Sequence, residues 1–202
     1  MIFNTESDFY NTESYKERNL YYKIFAGYLF NEIVVGYDQR KLDFLNLLEK
    51  QINEDGLFFG EKSSAVQIIS TLKNKPVTVT FDYHPAQIFE DYKKDNRGEM
   101  SDILILSNSE MLSIECKFLS NINYDKDITE VQERIIKFKD KFFVNPLQIL
   151  LLKQSKWQNS KNIKLKLEAA TNVPVVVVFW EQLCSLLNDK IVQEYLQKQI
   201  VR

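Results

Sequence analysis

The stretch VPVVVVFW, residues 173–180, constrains the fold of this chain more than any other part of its sequence. Four consecutive valines favour an extended strand, and a strand with no polar side must be covered on both faces. In α/β proteins, helices provide that cover. Helical patterns precede and follow the stretch. We therefore predict a mixed α/β fold, a three-layer α/β/α sandwich around a central mixed β-sheet, with residues 173–180 as a fully covered central strand.

The rest of the chain alternates between helical and extended patterns. Apolar residues recur at helical spacing over residues 15–35, 40–53 and 63–73, which predicts three helices there, and we also predict helices over residues 127–141, 146–157 and 181–199. Period-two alternation and a tight turn predict strands over residues 77–83, 102–106 and 111–118, the last two as a hairpin. The order is helices, strand, hairpin, helices, buried strand and helix.

Length and composition fit one globular domain. The chain has 202 residues, of which 45% are hydrophobic and 27% are charged. We treat residues 1–202 as a single domain, in which residues 1–60 form a helical N-terminal region and residues 61–202 form the core. The formal net charge of −2 gives no sign of a nucleic-acid partner, although it leaves room for a local basic patch.

Cysteine usage and hydropathy limit the setting of the protein. Cys116 and Cys184 show neither a zinc spacing nor a disulfide framework, so we expect both thiols to lie in the core of a cytoplasmic protein. The polar, acidic N-terminus has no feature of a signal peptide. No apolar run is long enough to span a bilayer, and we expect no membrane partner.

Three charged residues stand in the predicted hairpin: Asp102, Glu115 and Lys117. Because side chains alternate along a strand, Glu115 and Lys117 share one face, while Cys116 points to the other, apolar face. A tight turn around Asn108 would set Asp102 across from the region between Glu115 and Lys117. Burying charged groups is costly unless something compensates them. The three residues therefore form either a solvated hairpin face or a site.

A divalent cation would relieve the repulsion between two such carboxylates. Mg²⁺ takes oxygen ligands and keeps several waters, one of which can act as a nucleophile. Lys117, beside the metal, could orient that water or stabilise charge developing on a phosphate. The set suits hydrolysis of a phosphodiester, and a solvated face with an incidental Glu-x-Lys pair is the competing explanation.

The sequence Ser101-Asp102, a turn, and then Glu115-Cys116-Lys117 resembles the motif of the PD-(D/E)XK nuclease superfamily, which includes many type II restriction endonucleases, Holliday-junction resolvases and repair nucleases. The resemblance covers mainly residues 98–119, and the predicted order of helix, strand, hairpin, helix and strand is also similar. Ser101 replaces the usual proline. The resemblance implies a restriction-endonuclease-like fold.

The same resemblance implies roles for the hairpin residues. Asp102 and Glu115 would be ligands of Mg²⁺, for which Mn²⁺ can substitute, and the backbone carbonyl of Cys116 would be a further ligand. Lys117 would be the catalytic lysine. Many members add a glutamate from a helix before the sheet; Glu61 is the first choice and Glu32 the second. A favourable charge at a helix N-terminus is the competing explanation for Glu61.

Basic and polar residues outside the hairpin are candidates for substrate contacts. The densest basic run, interleaved with Trp157, comprises Lys153, Lys156, Lys161, Lys164 and Lys166. It would contact a DNA backbone or form a solvated face. Gln148 is predicted on a helix, either near the phosphate, as the resemblance implies, or as a helix-surface or buried hydrogen-bonding glutamine. The lone His84, followed by Pro85, fits a loop and gives little support to histidine-based hydrolysis.

The hairpin charges and the resemblance together imply a Mg²⁺-dependent endonuclease that hydrolyses DNA, most simply a type II restriction endonuclease acting on double-stranded DNA. Cutting both strands with one site per chain needs two chains, so we expect a homodimer, with residues 1–60 as a candidate dimerisation region. Two alternatives stay open. One is a structure-selective repair, junction-resolving or mobile-element nuclease, and the other is a non-catalytic nucleic-acid-binding or protein-binding module on the same fold.

Overall fold

The computed structural model describes residues 24–25, 29–30, 38–54, 62–83, 101–107, 109–117, 124–142, 145–154, 160–187, 190, 193–194 and 197. Within these ranges the helices are α1 (Asp38–Glu54), α2 (Lys62–Asn74), α3 (Tyr124–Phe142), α4 (Ser160–Thr171) and α5 (Trp180–Leu186). The strands are β1 (Thr78–Tyr83), β2 (Ser101–Ser107), β3 (Glu110–Lys117), β4 (Asn145–Leu152) and β5 (Val175–Phe179).

The five strands form one mixed sheet in the order β1-β2-β3-β4-β5. The first three are antiparallel, and β2 and β3 form the predicted hairpin with Ser107 opposite Glu110. The last three run parallel, with α3 connecting β3 to β4 and α4 connecting β4 to β5. Parallel neighbours need such crossover connections. The central strand of this sheet is β3, which carries the Glu-x-Lys pair.

Helices pack on both faces of the sheet, which confirms the mixed α/β prediction. The larger apolar cluster contains residues from α1, α2 and α5 together with one face of the strands. The smaller cluster lies on the other face and contains residues from α3 and α4, for example Ile135 and Leu167. Alternation along β3 divides its side chains between these layers. Ile114 and Cys116 belong to the larger cluster, and Glu115 lies on the side of α3.

The helix predicted over residues 146–157 is wrong, because this segment forms strand β4. Its side chains from Pro146 to Leu152 are buried on both faces. A run that is apolar on every side carries no periodicity with which to separate a strand from a buried helix. Helix α4, which follows β4, was not predicted. The parallel part of the mixed sheet therefore contains one strand more than the sequence indicated.

The prediction that residues 173–180 form a central strand is also wrong in its position. Strand β5 pairs with β4 alone and is the last strand in the described part of the sheet. Its valines are nevertheless largely buried, since helices cover both faces at this edge. Burial on two faces depends on the helical layers and not on how many strands lie to either side.

The remaining elements follow the predictions closely where the structure describes them, except that the helix predicted over residues 181–199 is α5, which ends at Leu186 because Leu187 is extended. Helices α1 and α2 and the three antiparallel strands lie within a few residues of their predicted bounds. Cys116 and Cys184 are both buried free thiols, as expected. The predicted helix over 15–35 falls almost entirely outside the described residues. Within the described ranges, none of the helices combines the length and the apolar character that crossing a membrane requires.

Candidate active site at the hairpin

The open end of the β2–β3 hairpin brings Asp102 and Glu115 side by side. The register pairs Ile103 with Ile114, and one further step sets Asp102 opposite Glu115. The backbone N–H of Cys116 donates a hydrogen bond to Asp102 Oδ2 over 2.7 Å. The two carboxylates are close enough for the charge of Glu115 to act on Asp102. Both therefore lie on one side of the sheet, as the sequence predicted.

Glu115 binds two cations, one through each carboxylate oxygen. Lys117 Nζ lies 3.0 Å from Oε1, and Arg134 Nη2 donates to Oε2 over 2.7 Å. The side chains are largely enclosed, with exposed fractions of 12% for Glu115, 17% for Lys117 and 3% for Arg134. Ion pairs held this far from water are less screened than surface pairs. The hairpin charges thus form an enclosed cluster and not a solvated face.

Arg134 is a member of this cluster that the sequence analysis missed. It lies on α3, whose residues Val131 and Ile135 pack in the smaller apolar cluster. Positions 131, 134 and 135 share one face of a helix. An arginine among the apolar positions of an amphipathic helix was therefore the available signal, because a buried guanidinium needs an anionic partner.

The surroundings push the pKa values of the two carboxyl groups apart. Burial, together with the charge of Glu115, raises the pKa of Asp102 to about 7, despite the Cys116 N–H and the two nearby cations. Burial also acts to raise the pKa of Glu115, but Arg134 and Lys117 outweigh it and hold that pKa below its ordinary value. Near neutral pH, Glu115 is ionised, whereas Asp102 is protonated in part of the molecules.

We expect Asp102→Asn to stabilise the metal-free protein increasingly as pH rises. The folded-state pKa of Asp102, about 7, lies above the unfolded value of about 3.9. Proton binding by folded Asp102 contributes fully to stability below the pKa of the unfolded state. This contribution is lost as the pH rises through the pKa of the folded state. The variant's advantage in unfolding free energy should therefore grow by roughly 2–3 kcal/mol between about pH 5 and pH 8. Urea denaturation in chelator measures it, and a pH-independent difference would contradict the assignment.

The oxygen atoms at this end of the hairpin are of the kind that a small divalent cation binds. Two carboxylates and the carbonyl of Cys116 are hard donors of the kind Mg²⁺ prefers, and Mg²⁺ often binds through one or two carboxylates with water in its other positions. In the described part of the chain, no group of three or more His, Cys, Asp or Glu side chains is gathered to hold a metal. A cation here would therefore rely on Asp102, Glu115, the carbonyl and water.

Some of the other predicted site residues lie outside the described residues, and the structure places others differently from the prediction. Glu61, Glu32, His84, Lys156 and Trp157 lie outside the described residues. Gln148 is not on a helix. It is a fully buried residue of β4, in register with Ser113 of β3, and its Nε2 donates to the Ile149 carbonyl over 2.9 Å.

The predicted basic run does not form a single exposed face. Lys153 and Lys164 are buried, with exposed fractions of 3% and 2%, and Lys164 lies 3.8 Å from Glu168. Lys161 and Lys166 are exposed. One surface was expected because no helix is predicted from the sequence between residues 158 and 172. Helix α4 instead places Lys164 in the interior and Lys161 and Lys166 on the surface.

The structure thus brings together Asp102, Glu115 and Lys117, the three hairpin residues chosen from the sequence, and adds Arg134 to them. What this cluster does is inferred from its own geometry. Comparison of the chain with models of known protein families, with curated proteins and with solved structures gave no match.

Proposed function

We propose that this protein is a Mg²⁺-dependent endonuclease that hydrolyses DNA phosphodiester bonds, with the fold and site of the PD-(D/E)XK superfamily. The observation that carries the proposal is the pair of carboxylates on neighbouring strands, Asp102 and Glu115, with Lys117 Nζ 3.0 Å from Glu115. Support also comes from the element order α2, β1, hairpin, α3 and β4, which is the order helix, strand, hairpin, helix and strand in the resemblance.

In this proposal each residue has a distinct task. Asp102, Glu115 and the Cys116 carbonyl would hold Mg²⁺, which supplies an activated water and offsets the charge of the phosphate. The Cys116 N–H fixes the orientation of Asp102. The ammonium group of Lys117, anchored to Glu115, stabilises the charge that develops on the phosphate oxygens as water attacks. In-line attack expels the 3′ oxygen and leaves 5′-phosphate and 3′-hydroxyl ends.

The proposed enzyme acts as a homodimer of restriction type. Each chain offers one hairpin site, and two such sites are needed to cut both strands of a duplex. A two-fold symmetric pair places identical sites on opposite strands. The proposed dimerisation region, residues 1–60, lies largely outside the described residues apart from α1.

One observation favours a second candidate, a non-catalytic binding module on the same fold. Both oxygens of Glu115 are taken by cations, as in an ion-pair network that only supports structure. Such a network has no need of Asp102, whose pKa is raised to about 7 by burial and by the charge of Glu115 despite two nearby cations. We favour the enzyme because a divalent cation would stabilise both carboxylates in their ionised form. A binding module would hold nucleic acid equally well in Mg²⁺ and in chelator, without cutting it.

Cleavage of supercoiled plasmid is the test of the proposal. We expect nicked and linear products in Mg²⁺ or Mn²⁺ and none in chelator. A panel of plain duplex, four-way junction, flap and RNA substrates then separates restriction-type cutting of one short sequence from structure-selective cutting. If no DNA or RNA in the panel is cut in either metal, the enzyme proposal is wrong.

A further inference from the structure

Arg134 has a place in the site that the proposed chemistry does not use. Its guanidinium is almost fully buried and donates to Glu115 Oε2, while Lys117 occupies the other oxygen. Glu115 therefore already pairs with two positively charged side chains before any metal binds. Arg134 reaches it from α3, an element separate from the hairpin.

A divalent cation approaching Glu115 meets two positive groups already in contact with the carboxylate. In an enclosed site these charges repel a metal much more strongly than they would in water. The metal must share Glu115 with Arg134 or displace it. The ion pair between Arg134 and Glu115 thus lowers the affinity of the site for metal, unless an anion binds the guanidinium in place of Glu115.

A phosphodiester is such an anion. Guanidinium groups bind phosphate oxygens with two parallel hydrogen bonds, as they bind carboxylates. A phosphate oxygen that shares a metal with Glu115 lies beside the Glu115 carboxylate. That position is within reach of a guanidinium now 2.7 Å from Oε2.

We propose that Arg134 is a positioning residue that restrains metal binding until substrate arrives, when its guanidinium passes from Glu115 to a phosphate oxygen. This inference rests on the proposed function, since it takes a phosphodiester as the substrate. Metal and substrate then bind with positive coupling, and by linkage each raises the affinity for the other by the same factor. The device limits metal-dependent chemistry to occasions when DNA is in place.

Mn²⁺ binding to the whole chain, followed by calorimetry and by the spin-resonance signal of free Mn²⁺, tests this without measuring activity. Wild type should bind Mn²⁺ weakly when alone and about ten-fold or more tightly when a phosphorothioate duplex is present. A duplex with neutral methylphosphonate linkages should give no such gain. Arg134→Gln should bind Mn²⁺ about ten-fold more tightly than wild type without DNA, and Arg134→Lys, which keeps the charge, should resemble wild type. Arg40→Gln, on α1 across the sheet, is the matched control.

The outcomes separate this inference from the proposed function. If Arg134→Gln folds and binds Mn²⁺ no more tightly than wild type without DNA, the restraint is wrong. If it does not fold, equal Mn²⁺ affinities of wild type with the two duplexes still overturn the restraint. If wild type cuts plasmid but binds Mn²⁺ equally with and without the charged duplex, the restraint is wrong and the nuclease stands. If wild type neither binds Mn²⁺ under any of these conditions nor cuts DNA, the proposed function fails, and the restraint fails with it.

Discussion

Replacing Lys117 by alanine is expected to lower Mg²⁺-dependent DNA cleavage by about a hundred- to a thousand-fold while the protein stays folded. In the proposed mechanism the Lys117 ammonium group lies beside the carboxylates that would hold the metal and stabilises the reacting phosphate, and the variant loses that charge. The fold should tolerate the change, because Glu115 keeps its contact with Arg134. Single-turnover cleavage of a labelled duplex measures the effect.

The matched control is Lys50→Ala on helix α1. Lys50 is an exposed lysine in an ion pair of 3.8 Å with Glu54, and such surface pairs contribute little. We expect this variant to cut at the wild-type rate. Equal cleavage by Lys117→Ala and wild type across the substrate panel would remove Lys117 from the mechanism.

Glu115→Gln is expected to destabilise the metal-free protein by roughly 3–5 kcal/mol, the usual cost of removing one partner from a buried ion pair. Glutamine leaves the buried Arg134 and the largely enclosed Lys117 facing a neutral amide. Ionisation of Asp102 nearby recovers part of this loss, so the lower end of the range applies above pH 7. Urea denaturation in chelator measures the change.

Glu110→Gln, at the opposite end of β3, is the control for this stability loss. One carboxylate oxygen of Glu110 is buried without a hydrogen-bond partner among the described residues, so an amide there loses no contact at that atom. We expect a change of less than about 1 kcal/mol. Similar losses in the two variants would mean that the cluster around Glu115 contributes nothing specific to stability.

The hairpin could be predicted from the sequence because its structure is local. Alternation placed Glu115 and Lys117 on one face, and the short turn fixed the strand register that sets Asp102 across from Glu115. The same local patterns gave α1, α2 and the antiparallel strands. Wherever a few neighbouring residues decide the conformation, sequence periodicity was enough.

The features that could not be predicted from the sequence depend on long-range packing. The apolar residues of β4 suit a buried strand and a buried helix equally, and only the parallel neighbours β3 and β5 decide between them. Arg134 joins the site because α3 crosses back over the hairpin face, and spacing along the chain does not encode that crossing. The order of strands in the sheet is likewise a property of the whole fold, and β5 was misplaced for this reason.

In the proposed site, Asp102 and Glu115 together bind one divalent cation beside Lys117. The most direct test is the anomalous scattering of Mn²⁺ in crystals of the protein grown with a phosphorothioate duplex. We expect a peak about 2 Å from one oxygen of Asp102, one oxygen of Glu115 and the carbonyl of Cys116. A duplex bound at the hairpin with no anomalous peak between the two carboxylates, or with Mn²⁺ bound only elsewhere, would contradict it.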